Sequence, residues 1–236
     1  MISADALKKK FDVFGSFYDL QEPDKKTPTP CRNVLEIVKK GSKSLAGINV
    51  ATLYKAEPDA IFVMMNPGSS APLPDTLALP TYQCTANLST ETLNSLIVTA
   101  KPDITQYMVM NVMEEMKVWN RVRILNLSDF REPKSPNFLR KVDDFFTHNK
   151  NHCHSIFSLE RKKELELALG TKIKPIIAAW GQHRRLATLA TLCKEGLGGH
   201  QYKGLFTDKN ELLCRHASPS LHKAKVDWLT DIMKIL

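Results

Sequence analysis

Residues 60–70 read AIFVMMNPGSS, and this stretch decides the class of fold that the sequence predicts. Its first six residues are all apolar, and Asn66, Pro67 and Gly68 end the run with residues typical of a turn. A short apolar run that ends at turn residues is typical of a strand buried on both faces, as in a parallel sheet. We therefore predict a central buried strand over residues 60–65.

Two further runs have the same character. They are RVRILNL (121–127) and IKPIIAAW (173–180), the second followed by Gly181. Between the runs, helical patterns predict helices over residues 89–100, over 103–117 with Asp103 and Gln106 as a capping box, from Ser135-Pro136 onward, and over 159–170. Strands separated by helices of this length form right-handed crossovers. The prediction is an α/β fold with a short, mainly parallel central sheet.

The size of the chain suits a single domain. It has 236 residues, 43% of them hydrophobic, which is enough for a sizeable core without disulfides or a structural metal. The N-terminal part is expected to be an amphipathic helix, and EPDKKTPTP (22–30) is typical of an exposed loop. We expect one domain over residues 1–236, with residues 1–55 as an N-terminal helical and loop extension.

Several classes of protein are disfavoured by composition. The five cysteines are scattered without a Cys-x-x-Cys pair, which favours reduced thiols in a reducing compartment. No apolar stretch approaches the roughly 20 residues of a membrane span, and lysines stand where a signal peptide would have its apolar core. Signatures of P-loop enzymes, dinucleotide-binding folds, zinc proteases and serine hydrolases are missing. We expect a cytoplasmic protein without an obligate protein partner.

The net charge is +8, and its distribution is uneven. Residues 1–100 hold 10 Lys and Arg against 10 Asp and Glu, whereas residues 101–236 hold 23 against 15. A basic face in the C-terminal part would attract polyanions such as DNA. A solvated basic surface with no partner is the alternative that charge alone leaves open.

Polar segments follow the predicted strands. They are NPGSS (66–70), NLSDF (126–130), AAWG (178–181) and, after the short apolar piece ELLC (211–214), HASPS (216–220). In a parallel sheet the ligand crevice lies outside the carboxyl ends of the strands, so these segments are the candidate site.

These segments resemble the uracil-DNA glycosylase superfamily. MMNPG (64–68) is similar to the first active-site motif of the mismatch-specific branch, and HASPS is similar to the second motif, His-Pro-Ser-Pro followed by Leu. NLSDF and AAWG resemble the family's other strand ends, and a bacterial and phage group has the same elements. The resemblance implies a three-layer α/β/α fold and a cofactor-free DNA glycosylase that flips a modified or mismatched pyrimidine out of DNA.

The resemblance also implies two catalytic residues. Asn66 would hold the attacking water through its side-chain carbonyl, and His216 would donate a hydrogen bond to the departing base. The faster branch of the family has Asp in place of Asn66, and an amide cannot accept a proton as a general base. For His216, a purely structural role in a turn is the alternative.

Four residues are expected to contact the base. Pro67 and Gly68 belong to the first motif, and the missing side chain at Gly68 would let the pocket wall recede to admit a 5-substituted pyrimidine. Asn126 would read the base edge, with a buried, turn-stabilising amide as the alternative. Tyr82 is the candidate for stacking on the flipped base. A bulky 5-modified base of phage DNA fits this expectation and makes antiviral defence a candidate role.

The remaining expected contacts are with the DNA backbone. Ser218-Pro219 is interpreted as a helix N-cap followed by proline, which would turn the next backbone amides toward a phosphate. The family's leucine wedge falls at Ser220, with Leu221 one place later. The full set of expected DNA-contacting residues is Ser218, Ser220, Leu221, Lys223, Lys225, Arg184 and Arg185.

Three other functions were weighed against this one. The residues His148, His152, Cys153 and His154 are better explained as a solvated loop than as a metal site, because adjacent residues rarely converge on one ion. We therefore expect no metal. A non-catalytic nucleic-acid-binding module and an enzyme acting on free nucleosides or nucleotides remain as alternatives.

Overall fold

The computed structural model describes residues 1–23, 25–42, 53, 55–84, 97–207 and 210–236. Within these ranges the elements are, in chain order, α1 (Ala4–Lys10), β1 (Phe11–Gln21), β2 (Thr29–Lys39), β3 (Ala60–Met64), β4 (Ala71–Pro72), β5 (Thr81–Gln83), β6 (Ile97–Lys101), α2 (Ile104–Met116), β7 (Arg121–Asn126), α3 (Ser135–Asn149), α4 (Lys162–Leu169), β8 (Ile176–Ala178), α5 (Ala187–Leu197), β9 (Lys203–Gly204), β10 (Phe206–Thr207), β11 (Asn210–Cys214) and α6 (His222–Ile235).

The three predicted buried strands are confirmed as β3, β7 and β8. They lie side by side and parallel, with Phe62 opposite Ile124 on one side and Ile177 on the other. Every residue of β3 is buried, as its uninterrupted apolar run predicts. Because the three strands run in one direction, the segments after Met64, Asn126 and Ala178 come out at one edge of the sheet.

The predictions of a mainly parallel sheet and of an N-terminal helical and loop extension both need correction. β1 and β2 form an antiparallel hairpin connected by residues 22–28, since Thr29 and Pro30 of the predicted loop belong to β2, and β2 pairs antiparallel with β7. The sheet order is β4-β6-β1-β2-β7-β3-β8-β9, with β5 beside β1, so the sheet is mixed. Residues 11–39 are thus two long strands within the sheet. The apolar pattern of the sequence did not reveal β2, because four of its buried positions are polar: Thr29, Arg32, Asn33 and Glu36.

The helix predictions were mostly right. α2 begins after the N-cap Asp103 with the predicted capping box, and α4 ends at Gly170. α3 begins at Ser135 itself, so the N-cap is Lys134 rather than Ser135. The predicted helix over 89–100 is wrong for residues 97–100, which belong to β6, and its remainder lies outside the described residues. Among the described helices, none has the length and apolar character to cross a membrane.

Alternate residues of the central strands enter two different hydrophobic clusters. Ile61 and Val63 of β3 pack in a cluster with residues of α3, α4 and α5. Phe62 and Met64 pack in a second cluster with residues of α1, α2 and α6. Two apolar clusters on opposite sides of one strand require cover on both faces, which the helices supply.

A buried ionic network ties the segment after β7 to the rest of the domain. Arg161 donates to Asp129 and, in two bonds, to Glu164, and all three side chains are inaccessible to solvent. Tyr18 of β1 donates to Asp129 at 2.8 Å, and Asn33 of β2 donates to Glu164 at 2.9 Å. Burial raises the pKa of Asp129 to about 6, against the opposing charge of Arg161.

Replacing Arg161 with Met should destabilise the protein by about 3–5 kcal/mol, because two buried carboxylates lose their cation. Urea unfolding measures this loss. Without Arg161 the pKa of Asp129 rises further, so the folded state binds protons more tightly than the unfolded chain. The loss should therefore be smaller near pH 6 than near pH 7.5. The control is Arg140→Met on an exposed face of α3, and a pH-independent loss would contradict the prediction.

Candidate functional site

A cavity of about 230 Å³ lies at the carboxyl end of β3. It is bordered by the segment after β3, the beginnings of α2 and α3, and the segment after β11. The residues that line it are Met65, Asn66, Gly68, Ser69, Asp103, Ile104, Thr105, Pro133, Ser135, His216 and Ser218. The structure thus brings Asn66, Gly68, His216 and Ser218 together from two segments about 150 residues apart in the sequence.

The side-chain amide of Asn66 has a fixed orientation. Its Nδ2 donates to the backbone carbonyls of Phe130, at 3.1 Å, and Glu132, at 2.7 Å. Both amide hydrogens are used in this way, so the carboxamide cannot rotate without losing two hydrogen bonds. Oδ1 takes no part in these bonds and is the atom left to accept a hydrogen bond from a bound molecule.

The protonation of His216 is set by its own loop. The backbone amide of Ser218 donates to Nδ1 of His216 at 3.0 Å, so the neutral imidazole carries its proton on Nε2. Burial lowers the pKa of His216 below its usual value. The ring packs near Gly181, where a Cβ would lie 3.9 Å from the imidazole Cδ2. His216 is therefore a neutral hydrogen-bond donor at the cavity.

Asp103 lies in the cavity, and sequence reasoning gave it only a structural role. Its Oδ1 accepts from the amides of Thr105 and Gln106, at 2.9 and 3.1 Å, as the capping box predicts. Oδ2 makes no hydrogen bond with the described part of the chain. One sequence signal could have placed Asp103 at the cavity: it comes shortly after a strand. That strand, β6, was predicted as part of a helix.

The expectation that Gly68 leaves the pocket wall open needs correction. Gly68 lines the cavity with φ of +60°, but a Cβ at this position would lie 2.6 Å from Oδ2 of Asp103. The place of a side chain is therefore taken by the Asp103 carboxylate. Any substitution at Gly68 disturbs Asp103 as well as the backbone, so Gly68 variants do not report on pocket width alone.

The other three expected base contacts do not line the cavity. Pro67 is buried beside it. Asn126 is fully buried, and its carboxamide, oriented to satisfy both groups, donates to the backbone carbonyl of Asn66 and accepts from Arg32. Tyr82 lies on β5, where its ring meets Tyr18 edge to face at 5.7 Å. Asn126 thus supports the loop that carries Asn66, which was the alternative weighed for it.

The predicted N-cap at Ser218 is wrong. α6 begins at His222 with Leu221 as its N-cap residue, three residues later than the Ser-Pro pattern suggests. Ser218 lines the cavity, and its buried Oγ has no partner in the described structure. Ser220 and Leu221 are exposed but are not among the residues that line the cavity, whereas the exposed apolar side chain of Ile104 is.

The expected basic contacts are spread around this edge. Lys223 is exposed in the first turn of α6, and Lys225 is half-buried near Ile104. Arg184 and Arg185 are exposed in the turn before α5, where Arg185 forms an ion pair with Asp143 of α3. The expectations also missed Lys134, which is exposed between the cavity residues Pro133 and Ser135.

His152 and His154 have packing roles rather than the expected solvated ones, whereas His148 is exposed on α3. His154 is buried and stacks on Phe130, with ring centroids 4.4 Å apart. His152 stacks on Phe146 at 4.8 Å. Across the described ranges, no group of three or more His, Cys, Asp or Glu side chains could hold a metal ion.

Comparisons with known proteins do not extend this picture. No protein-family model, no curated protein and no solved structure matches the chain significantly. The cavity and the chemistry of the residues that line it are therefore the basis for inferring a function.

The tautomer of His216 is directly testable. Long-range ¹H–¹⁵N spectra should show Nδ1 as an unprotonated acceptor and Nε2 as protonated near neutral pH, because the Ser218 amide occupies Nδ1. Titration should place the pKa of His216 below the ordinary value for histidine, since burial disfavours the imidazolium. The variant His216→Gln assigns the resonances. Protonation at Nδ1 would exclude His216 as a hydrogen-bond donor to a molecule bound in the cavity.

Proposed function

We propose that the protein is a monofunctional DNA glycosylase, which hydrolyses the bond between deoxyribose and a modified or mismatched pyrimidine and leaves an abasic site. In this proposal the domain is a three-layer α/β/α fold of the uracil-DNA glycosylase type, with additional antiparallel strands at one side of its sheet. The helices that pack on both faces of β3 support this arrangement.

One observation carries the proposal: a single cavity holds an oriented amide oxygen, on Asn66, and a neutral imidazole N–H, on His216. Cleavage of an N-glycosidic bond develops negative charge on the base and positive charge on the sugar, and it needs an attacking water. The Nε2–H of His216 would stabilise the charge on the base oxygen. Asn66 Oδ1 would accept a hydrogen bond from the water.

The surroundings of the cavity favour an anionic leaving group. The N-terminal end of α3, which has no side-chain cap, borders the cavity, and the helix dipole places partial positive charge there. Its volume is below the roughly 300–1,000 Å³ of pockets for drug-sized ligands, which suits one base and not a whole nucleotide. A target inside duplex DNA would therefore have to be flipped out of the stack.

The substrate class follows from the cost of flipping a base into limited space. Bases that leave easily or unstack cheaply are favoured, and normal thymine and cytosine in duplex DNA are spared. Mismatched uracil or thymine meets this condition. A bulky 5-modified base of phage DNA would have to extend its substituent through the cavity opening. Antiviral defence in the cytoplasm is the role that such a substrate would give the protein.

A non-catalytic DNA-binding module is the second candidate. It is favoured by the two hydrogen bonds from Asn66 to the backbone of Phe130 and Glu132, which stabilise the loop whether or not any reaction occurs. The two candidates differ in one product, since only a glycosylase makes abasic sites.

Asn66→Ala and His216→Ala should each slow base release by at least about tenfold, since each loses a transition-state contact of roughly 1.4 kcal/mol or more. The assay incubates the protein with DNAs that contain U·G and T·G mismatches or 5-modified cytosines and identifies released bases by mass spectrometry. His200→Ala, at an exposed histidine, is the matched control.

The outcomes separate the candidate functions. Abasic sites formed by the wild type, with slower release by both variants, support the glycosylase. DNA binding without abasic sites supports the non-catalytic module, and cleavage of free nucleosides alone supports the nucleoside enzyme. A variant with unchanged release removes its residue from the mechanism.

Binding to DNA should weaken as salt rises, because neutralised phosphates release counterions. Lys223→Glu and Lys225→Glu should each weaken binding and flatten the slope of log affinity against log salt. Lys172→Glu is the charge-matched control, since Lys172 precedes β8 and lies toward the opposite edge of the sheet. Equal effects of the three reversals would show that only net charge matters.

A further inference from the structure

Hydrolysis in this cavity needs a proton acceptor that the two motif residues do not supply. When water attacks the sugar, its oxygen forms the new bond to C1′, the bond from C1′ to the base nitrogen breaks, and one proton of the water must leave. The oxygen of Asn66 can accept a hydrogen bond from this water but cannot take its proton. Another group at the cavity must therefore take the proton of the water.

His216 is not that group. Its Nδ1 already accepts the backbone N–H of Ser218, and its Nε2 carries the ring proton. In this tautomer the imidazole has no free lone pair to take a proton from water. It is suited to donate to the base, which is the opposite role.

Asp103 is the one carboxylate among the described residues that line the cavity. Its two oxygens are used differently. Oδ1 caps α2 through two backbone amides, whereas Oδ2 makes no bond with the described part of the chain and lies against Gly68, the third residue of the Asn-Pro-Gly turn. The cap therefore fixes the carboxylate in position and leaves one oxygen available to a molecule in the cavity.

The surroundings also tune the basicity of Asp103. Burial raises its pKa above the usual value, and the charge of Arg32, with the two cap hydrogen bonds, opposes that rise. Arg32 is almost fully buried, and its Nε and Nη1 have no hydrogen-bond partner among the described residues, so its charge is poorly compensated. A raised pKa makes a carboxylate a better proton acceptor than a solvated one.

We infer that Asp103 is a further catalytic residue: its Oδ2 accepts the proton of the attacking water as the bond to the base breaks. The inference rests on the proposed glycosylase function. The proton then passes from Asp103 to solvent, and the departing base anion takes up a proton from solvent. In this arrangement Asn66 positions the water, Asp103 deprotonates it and His216 stabilises the base. The carboxylate missing from the Asn-Pro-Gly motif is supplied by another part of the chain.

The substitution Asp103→Asn separates chemistry from folding, because Asn caps a helix about as well as Asp. The variant should keep the unfolding midpoint of the wild type. Its single-turnover rate of base release should fall by at least about 100-fold, the usual contribution of a general base. Affinity for DNA with an uncleavable 2′-fluoro nucleotide should change little. Asp5→Asn, another acidic residue at a helix N-terminus, is the matched control.

The pH profile distinguishes a catalytic role from a structural one. The wild-type rate should fall with unit slope as pH drops below the raised pKa of Asp103, because only the carboxylate accepts a proton. This limb should be missing in Asp103→Asn. A variant that retains the limb, or the full rate, would overturn the assignment of Asp103 and leave the glycosylase proposal standing.

A binding experiment tests the negative charge of Asp103 without any reaction. DNA with a cationic azasugar in place of the target nucleotide mimics the positive sugar, and a neutral tetrahydrofuran site is its matched control. Wild type should bind the cationic site at least about tenfold more tightly, and Asp103→Asn should lose this preference. Equal wild-type affinities would overturn the inference. A preference for the cationic site together with no base released from any DNA would instead overturn the glycosylase proposal.

Discussion

The buried pairing of Arg161 with Asp129 is the interaction on which the candidate site depends. Asp129 lies between β7 and the backbone carbonyls of Phe130 and Glu132, and those carbonyls orient the amide of Asn66. Burying charged groups costs free energy unless they are paired and hydrogen-bonded. Together with the backbone hydrogen bonds that Asp129 makes with Arg32 and His154, the pairing holds this segment in place. The stability of the domain and the orientation of one side chain thus have a common cause.

The site divides its chemistry among three elements that meet at one sheet edge. The turn after β3 brings an acceptor oxygen, the segment after β11 brings an imidazole donor, and the start of α2 brings a carboxylate. Each group has its state fixed by backbone hydrogen bonds, to Asn66 Nδ2, His216 Nδ1 and Asp103 Oδ1. Groups held in this way need little reorganisation when charge develops, which is the main source of electrostatic catalysis.

The errors of the sequence reading have physical reasons. β2 was missed because Arg32 and Glu36 are buried in ionic and amide contacts, and a pattern of apolar residues cannot show that a charge is paired. The start of α6 was misplaced because Ser218-Pro219 has the local form of a helix start. There the Ser218 amide donates to His216 instead, and the helix begins at His222.

The sequence by itself determined the buried strand β3, because it is a continuous apolar run closed by turn residues. The strand β7 was predicted from a shorter apolar group, Ile124 and Leu125. The sequence also determined that polar segments follow those strands, and it identified the cap at Asp103, since each is a local pattern. Only the tertiary structure decided which of these groups share a cavity. Asp103 reaches Gly68 because α2 packs in the same hydrophobic cluster as Phe62 and Met64 of β3, and Asn126 is buried in the core. Such contacts join residues far apart in the chain, and no local periodicity encodes them.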